Sequence, residues 1–200
     1  MIDIDTLDKL KLDELAGSDG QVRGVVLLTD AEYVRRNYGN EALLRVEEET
    51  DNMGYPIEYS KIQPMHWYPV GFRIISLFAI QKALHLNSDG LIEMGRKAPK
   101  YSLITKLMLR YFVNLDTLLT RLQSYWNKNY SIGTVSSKLE NTTLFICIED
   151  CKIPESLFPY LKGYFLAAIG MIIGAQKHIG MEEYKWKHKN GTCHEFAIKW

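Results

Sequence analysis

The sequence lacks the features that mark several large classes of protein. Lys and Arg together number 24, and so do Asp and Glu, so the chain carries no net charge. Nucleic-acid binding rests mainly on basic side chains that neutralise phosphates, so this balance argues against a nucleic-acid partner. The acidic start, Met1–Asp5, also lacks the basic and apolar regions of a signal peptide. We therefore expect a cytoplasmic protein.

Cysteine and recognisable catalytic motifs are scarce. The three cysteines, Cys147, Cys151 and Cys193, are an odd number, and we expect reduced thiols. In a continuous strand Cys147 and Cys151 would lie about 13 Å apart, which is too far for one metal ion. The sequence has no Gly-rich phosphate loop, no His-Glu-x-x-His and no Gly-x-Ser-x-Gly. It therefore predicts no metal site, no cofactor and no enzyme.

An uncharged run long enough to cross a membrane is also missing. The segment Leu157–Ala175 is nearly uncharged, but its charge-free part, from Gly163 to Ala175, has 13 residues. A spanning helix needs about 18–20 apolar residues. A shorter helix that is apolar on every side is typical of a core helix covered on both faces. The sequence predicts such a helix at 157–178 and no membrane span.

What the chain does contain is enough apolar material for a real core. Hydrophobic residues make up 46% of the sequence and aromatic residues 12%, which suits one globular domain. Residues 1–20 form a polar lead with a short helix near Thr6–Leu15, and 21–200 form the single domain. Spacing and capping signals predict further helices at Asn40–Asn52, Pro69–Leu86, Leu91–Lys97 (ended by Pro99), Tyr101–Phe112 and from Asn114 through Trp126.

Two β-hairpins follow from a change to alternating polarity after Tyr130. A turn at Glu140-Asn141 pairs Leu139 with Thr142 in the first hairpin. In the last, a two-residue turn at Asn190-Gly191 competes with a three-residue loop that also includes Thr192. The longer loop places Trp186 opposite Phe196 and separates an apolar face from a charged one, so we favour it. The predicted fold is α+β: a helical N-terminal part and a four-stranded antiparallel sheet crossed by the long helix.

Four residues are candidates for ligand binding: His66, Trp67, Tyr111 and Tyr164. His66 and Trp67 belong to a polar-aromatic cluster at a loop-to-helix junction, a place that often borders a pocket. The tyrosines lie on predicted helices that face the sheet. A plainer alternative is that Trp67 only packs against the following helix, that His66 faces water and that both tyrosines are ordinary core residues.

The order of elements and several short stretches resemble one superfamily. It contains the heme nitric-oxide-binding domains, the 4-vinyl-reductase domains and the TRAPP trafficking-complex subunits. The stretches are Gly24-Val25-Val26, Tyr38–Leu43, Tyr68-Pro69, Met94-Gly95-Arg96 and Tyr160–Tyr164, and Gly191–Ile198 looks like the 4-vinyl-reductase ending.

The heme motif of this superfamily is absent. Where heme members carry Tyr-x-Ser-x-Arg, this chain reads Ile148–Lys152, and no histidine lies between His85 and His178. Zinc-binding members use a Glu and three Cys, of which Glu182 and Cys193 match two. The resemblance therefore implies a bacterial branch without heme.

We accordingly expect a non-catalytic cytoplasmic sensor domain that binds a small, mostly apolar ligand. The alternative is a dimeric protein-interaction module like the trafficking subunits, with a homodimer or a signalling protein as partner. A cavity between helices and sheet would favour the sensor, and an exposed apolar helix face would favour the interaction module.

Overall fold

A computed structural model of the chain describes residues 9–101, 115–151, 154–174, 179–188 and 191–200. Within these ranges it contains seven α-helices and two antiparallel sheets, of two and four strands, which confirms the predicted α+β class. The helices are α1 (Lys9–Ala16), α2 (Gly24–Tyr38), α3 (Asn40–Asn52), α4 (Val70–Leu84), α5 (Ser88–Tyr101), α6 (Leu115–Asn129) and α7 (Phe158–Ile173). The strands are β1 (Gln21–Arg23), β2 (Trp67–Pro69), β3 (Thr134–Glu140), β4 (Thr143–Glu149), β5 (Gly180–His188) and β6 (Gly191–Lys199).

The helical half of the molecule is built around α4. This helix is buried along most of its length, and α1 and α3 both pack against it. The described part of the predicted polar lead is thus a core element, since Leu12 and Leu15 of α1 are buried. Gly71 permits the approach of α1, because a Cβ there would lie 2.1 Å from the carbonyl oxygen of Ala16.

Several helix boundaries agree with the sequence prediction, but the helix predicted at 157–178 ends at Ile173, and the helix predicted at Leu91–Lys97 runs from Ser88 to Tyr101. Helix α3 has the predicted bounds and follows Gly39, whose φ of 87° suits a residue without a side chain. Pro99, however, does not end a short helix. It lies inside α5, which runs on to Tyr101, because Pro99 is buried in the last turn and packing outweighs the missing N–H. The predicted helix Tyr101–Phe112 falls almost entirely outside the described residues.

The four-stranded sheet has the order β3-β4-β6-β5. In the first hairpin Leu139 pairs with Leu144 and Glu140 with Thr143, so the predicted pairing of Leu139 with Thr142 is wrong by two residues. The turn is at Asn141-Thr142, and Asn141 adopts a φ of 53°, which asparagine tolerates better than most residues. A shift of two leaves every side chain on its predicted face.

The register of the second hairpin is also different from the one we favoured. His188 pairs with Gly191 and Trp186 with Cys193, whereas the prediction set Trp186 opposite Phe196. Strand β6 lies between β4 and β5, so its position is fixed by pairs such as Ile146 with Phe196. The edge strand β5 adapts to β6, which a prediction made for an isolated hairpin does not take into account.

Helix α7 joins the two halves of the molecule. On one side its aromatic residues pack against the sheet, with the rings of Phe165 and Phe196 5.3 Å apart. On the other it lies against α5. By length and composition alone, Glu155–Ile173 could cross a membrane, although the shorter charge-free run predicted otherwise. In the structure 44% of this stretch is buried.

The structure corrects the expectation of three reduced thiols. Cys147 of β4 and Cys193 of β6 form a disulfide, with their Cα atoms 5.9 Å apart, and Cys151 retains its thiol. The expectation was wrong because the parity of the cysteine count says nothing about which residues a sheet brings together. Neighbouring strands place these two cysteines side by side.

Candidate functional site

A cavity of about 80 Å³ lies where α2, α4, α6, β4 and α7 meet. Each of these elements contributes buried side chains to the cavity wall. The described residues that line the cavity are Val25, Val26, Thr29, Arg73, Leu118, Leu122, Tyr125, Trp126, Asn129, Tyr130, Ile146, Tyr160, Leu161, Tyr164, Phe165, Ala168 and Ile169.

Most of the cavity wall is apolar. Leu118 and Leu122 of α6 recur at the spacing of one helical face and point the same way, as the sequence period predicts. Across from them, Phe165 and Ile169 repeat the same spacing on α7. An apolar molecule in this space would exchange water for side-chain contacts on every side, which is the usual source of binding free energy in small-molecule sites.

Two tyrosine hydroxyls meet in the wall between α6 and α7. The hydroxyl oxygens of Tyr125 and Tyr164 are 2.8 Å apart and share a hydrogen bond in which either can donate. Burial raises the pKa of Tyr164, and the neighbouring Tyr125 raises it further. The phenol therefore remains neutral at physiological pH and serves as a hydrogen-bonding group rather than a charge.

A buried ion pair also reaches the wall through Arg73. Asp30 and Arg73 are 0% and 3% exposed, and the Arg73 Nε–H donates to Asp30 Oδ2 over 3.1 Å. Arg73 Nη1 also donates to the hydroxyl of Tyr130. The guanidinium carbon lies 4.7 Å from the ring centre of Tyr160 and 5.7 Å from that of Tyr130. We call Asp30, Arg73, Tyr130 and Tyr160 the Arg73 corner.

Burial of the Arg73 corner shifts the pKa values of its four side chains. Burial raises the pKa of Asp30 above the usual carboxyl value, although Arg73 acts in the opposite direction. Burial alone would lower the pKa of Arg73, but Tyr130, Asp30 and Tyr160 raise it, so the guanidinium stays charged. Burial also raises the pKa of the Tyr130 and Tyr160 phenols. Both phenols are therefore neutral, and the Tyr130 oxygen accepts a hydrogen bond from Arg73.

Of the four predicted site residues, the structure brings Tyr164 to the cavity. His66 and Trp67 do not line it. Trp67 lies in β2, where the Arg23 guanidinium is 4.0 Å from its ring centre, and His66 is exposed. Tyr111 lies outside the described residues. The expectation that the four side chains share one cavity therefore fails for His66 and Trp67, which lie beside β1 and outside the wall of this cavity.

Sequence reasoning overlooked Asp30, Arg73, Tyr130 and Tyr160. A signal was present for Arg73, which is the one charged residue in the otherwise apolar run Val70–Ile80. Asp30 is likewise followed by Ala31 and preceded by apolar residues in Val25–Leu28. A charge inside a buried helix face is rarely tolerated without a partner. Each of these two positions therefore indicated that a buried residue of opposite charge lies nearby.

A second cluster lies on the face of the sheet that points away from the cavity. Ligand atoms of Cys147, Glu149 and Cys193 are all within 4.8 Å of one another. The disulfide uses both thiols, and metal ions bind thiolates. Glu182, the other residue suggested by the zinc-binding members, pairs with Ala197, four residues along β6 from Cys193.

Comparison with known proteins identifies the fold. No protein-family model and no curated protein sequence matches the chain. Among solved structures it resembles H-NOX domains, which are heme-NO-binding. One is an I-to-F mutant from T. tengcongensis (TM-score 0.64, 17% identity, 88% of this chain and 96% of that chain). Another is an oxygen-binding H-NOX domain related to soluble guanylate cyclases (TM-score 0.62, 16% identity, 88% and 94%).

A third solved structure addresses H-NOX activation. It matches with a TM-score of 0.63 and 16% identity, over 88% of this chain and 95% of that chain. The protein thus has the architecture of an H-NOX domain over nearly nine-tenths of its length. At this level of identity the likeness establishes the fold, and the residues of this chain decide which ligand its site suits.

The described residues of the cavity do not fit a heme. Pockets for drug-sized ligands have volumes of roughly 300–1,000 Å³, and this cavity holds about 80 Å³. Heme iron is held by His, Cys, Met or Tyr. The described lining residues offer tyrosines alone, of which Tyr130 is hydrogen-bonded to Arg73 and Tyr164 to Tyr125. The sequence also has no histidine from residue 86 to 177.

Proposed function

We propose that this chain is a non-catalytic, cytoplasmic sensor domain that binds a small, mostly apolar molecule without heme. The observation that carries the proposal is the cavity at the junction of α2, α4, α6, β4 and α7, with its apolar wall and few polar groups. The H-NOX architecture supports it, because a solved relative in fold binds oxygen. Tyr164 is the ligand-binding residue that we retain from the sequence prediction.

The position of the cavity suits a sensor. Its wall takes residues from both the helical half and the sheet half, so an occupant contacts both. A ligand that packs better in one arrangement of the two halves would shift the population toward that arrangement. Signalling to a partner protein would follow from such a shift. The dimeric interaction module remains the alternative function.

The proposal is tested by filling the cavity. Ala168 of α7 lines it, and Ala168→Leu adds three carbons that occupy the space. Ala167, its neighbour, does not line the cavity and is partly exposed. Ala167→Leu is therefore a matched control on the same helix. Empty apolar cavities bind xenon and small hydrocarbons, so we expect both to bind the wild type and Ala167→Leu.

The measurements are xenon NMR and the shift in Tm caused by small apolar compounds, followed by native mass spectrometry of protein purified from cells. A ligand that binds only the folded state raises Tm. Binding that disappears in Ala168→Leu and persists in Ala167→Leu supports the proposal. Equal binding by both variants, or none by the wild type, would end the sensor proposal and favour the interaction module.

A further inference from the structure

The Arg73 corner gives the cavity a polar end, in which Tyr160 lies one turn of α7 before Tyr164. Arg73, Tyr130 and Tyr160 all line the cavity, whereas Asp30 lies behind Arg73 and does not. The three lining side chains are 3%, 7% and 4% exposed, so bulk water contributes little to their solvation. A molecule in the cavity can therefore contact these groups directly.

The polar end offers hydrogen-bond donors in excess. A guanidinium has five N–H groups and no acceptor. Of these, Nε–H is used by Asp30, and one Nη1–H is used by Tyr130. The Tyr130 oxygen accepts from Arg73, so its own hydrogen points elsewhere. The one carboxylate of the corner, Asp30, does not line the cavity. A ligand oxygen that accepts hydrogen bonds therefore suits this end of the cavity.

The charge of the corner limits the ligand further. Asp30 and Arg73 form a pair whose charges cancel, and the tyrosines are neutral. An anionic ligand would leave one negative charge without a partner in a buried space, which is costly. A neutral oxygen acceptor adds hydrogen bonds and leaves the charge balanced. Hydrogen bonds to a charged donor are stronger than neutral ones.

We propose that the ligand is an uncharged, small molecule whose single polar group is a hydrogen-bond-accepting oxygen, such as the carbonyl of a ketone, aldehyde or ester. That oxygen binds at Arg73 and Tyr130, while the hydrocarbon part lies among Leu118, Leu122 and Phe165. This inference rests on the proposed function, since it assigns the chemistry of a ligand in the same cavity.

The test compares three probes of similar size with the purified full chain. Cyclopentanone carries the acceptor, methylenecyclopentane has the same shape without it, and butyrate carries a negative charge. Affinities are measured by ligand-observed NMR and Tm shift. A hydrogen bond to a charged group predicts cyclopentanone affinity about tenfold or more above that of methylenecyclopentane. Butyrate should bind more weakly than the ketone.

Two hydroxyl deletions locate the acceptor site. Tyr130→Phe removes a donor of the Arg73 corner and should lower the preference for the ketone. Tyr55→Phe removes a hydroxyl that binds Asp13 and does not line the cavity, and it should leave the preference unchanged. In the double variant Asp30→Leu/Arg73→Met the preference should vanish while methylenecyclopentane still binds. If that variant does not fold, the two tyrosine variants decide.

The possible results separate the two proposals. Equal affinity for ketone and hydrocarbon, a preference that Tyr130→Phe leaves unchanged, or tighter binding of butyrate would each overturn the acceptor inference and leave the sensor proposal standing. Binding of none of the probes by the wild type would overturn the sensor proposal, and the inference with it.

Discussion

The backbones of Gly95 in α5 and Tyr160 in α7 are in direct contact. A Cβ at Gly95 would lie 2.0 Å from the carbonyl oxygen of Tyr160, and a Cβ at Gly163 would lie 1.9 Å from that of Ile92. The two helices therefore touch through reciprocal glycines. Because Tyr160 also lines the cavity, the position of α7 against α5 determines the shape of the site.

Gly95→Ala should consequently destabilise the protein by about 1–3 kcal/mol or more, because α7 has to move away from α5. Urea unfolding measures this change. Gly180→Ala is the control, since nothing lies within 4 Å of a Cβ at that position. It should change the free energy of unfolding by less than about 1 kcal/mol. Equal losses for the two variants would show that the helices are not in close contact.

The buried ion pair gives a second prediction. Arg73→Met should cost about 3–5 kcal/mol, because it leaves Asp30 buried without its partner. Asp30→Leu/Arg73→Met should recover most of that loss, since apolar residues of similar volume replace a buried pair well. The pair Lys61–Glu58 is the exposed comparison, with side chains 73% and 58% exposed. Lys61→Met should cost about 0–1 kcal/mol, and a similar value for Arg73→Met would contradict the burial of the pair.

Heme binding is the subject of a third prediction. Purified protein mixed with hemin should show no stoichiometric Soret band, because the cavity is small and its described lining residues offer no histidine. Absorbance titration against a known heme protein checks the result. A tight one-to-one complex with a sharp Soret band would refute the proposal that this domain works without heme.

Stability should also fall steeply in alkaline solution. Burial raises the pKa of Tyr59, and the same holds for Tyr130, Tyr160 and Tyr164. An unfolded tyrosine loses its proton near pH 10, whereas these remain protonated in the folded state. The folded protein then binds more protons, so its stability decreases as pH rises through and above about 10.

Each such tyrosine contributes about 1.4 kcal/mol per pH unit to that decrease. Urea unfolding between about pH 9 and pH 11 measures the slope. Tyr59→Phe should reduce the slope of the unfolding free energy against pH by the contribution of one tyrosine. It should also lower that free energy by the same amount at every pH, because the 2.7 Å hydrogen bond with Ser76 is lost. A slope that is unchanged in Tyr59→Phe would mean that Tyr59 does not titrate differently in the two states.

Local signals predicted the parts of the fold that depend on neighbouring residues. Gly39 and Gly54 enclose α3, and its bounds agree with the structure. Alternating polarity identified both hairpins, yet both registers were wrong. The first turn lies at Asn141-Thr142 because Asn141 adopts a positive φ. The register of β5 is set by β6, whose own position is set by its pairing with β4. Neither is visible in a short window of sequence.

The site was harder to predict than the fold because it has no local motif. Val25, Arg73, Leu122, Tyr130 and Ile169 come from distant parts of the chain and meet only after folding. Each taken alone resembles an ordinary core residue. His66 and Trp67 formed a conspicuous cluster in the sequence, but adjacency along the chain did not place them at the cavity.

The position of β6 in the sheet has a consequence for synthesis on the ribosome. Strand β4 carries Leu144, Ile146 and Ile148, all fully buried once the fold is complete, and its inner edge pairs with β6. The β3–β4 hairpin emerges first, and α7 and β5 must follow before β6 appears. At roughly 5–20 residues per second the nascent hairpin spends several seconds with an open apolar edge. During that interval the growing chain is a natural client for a chaperone that binds apolar strands.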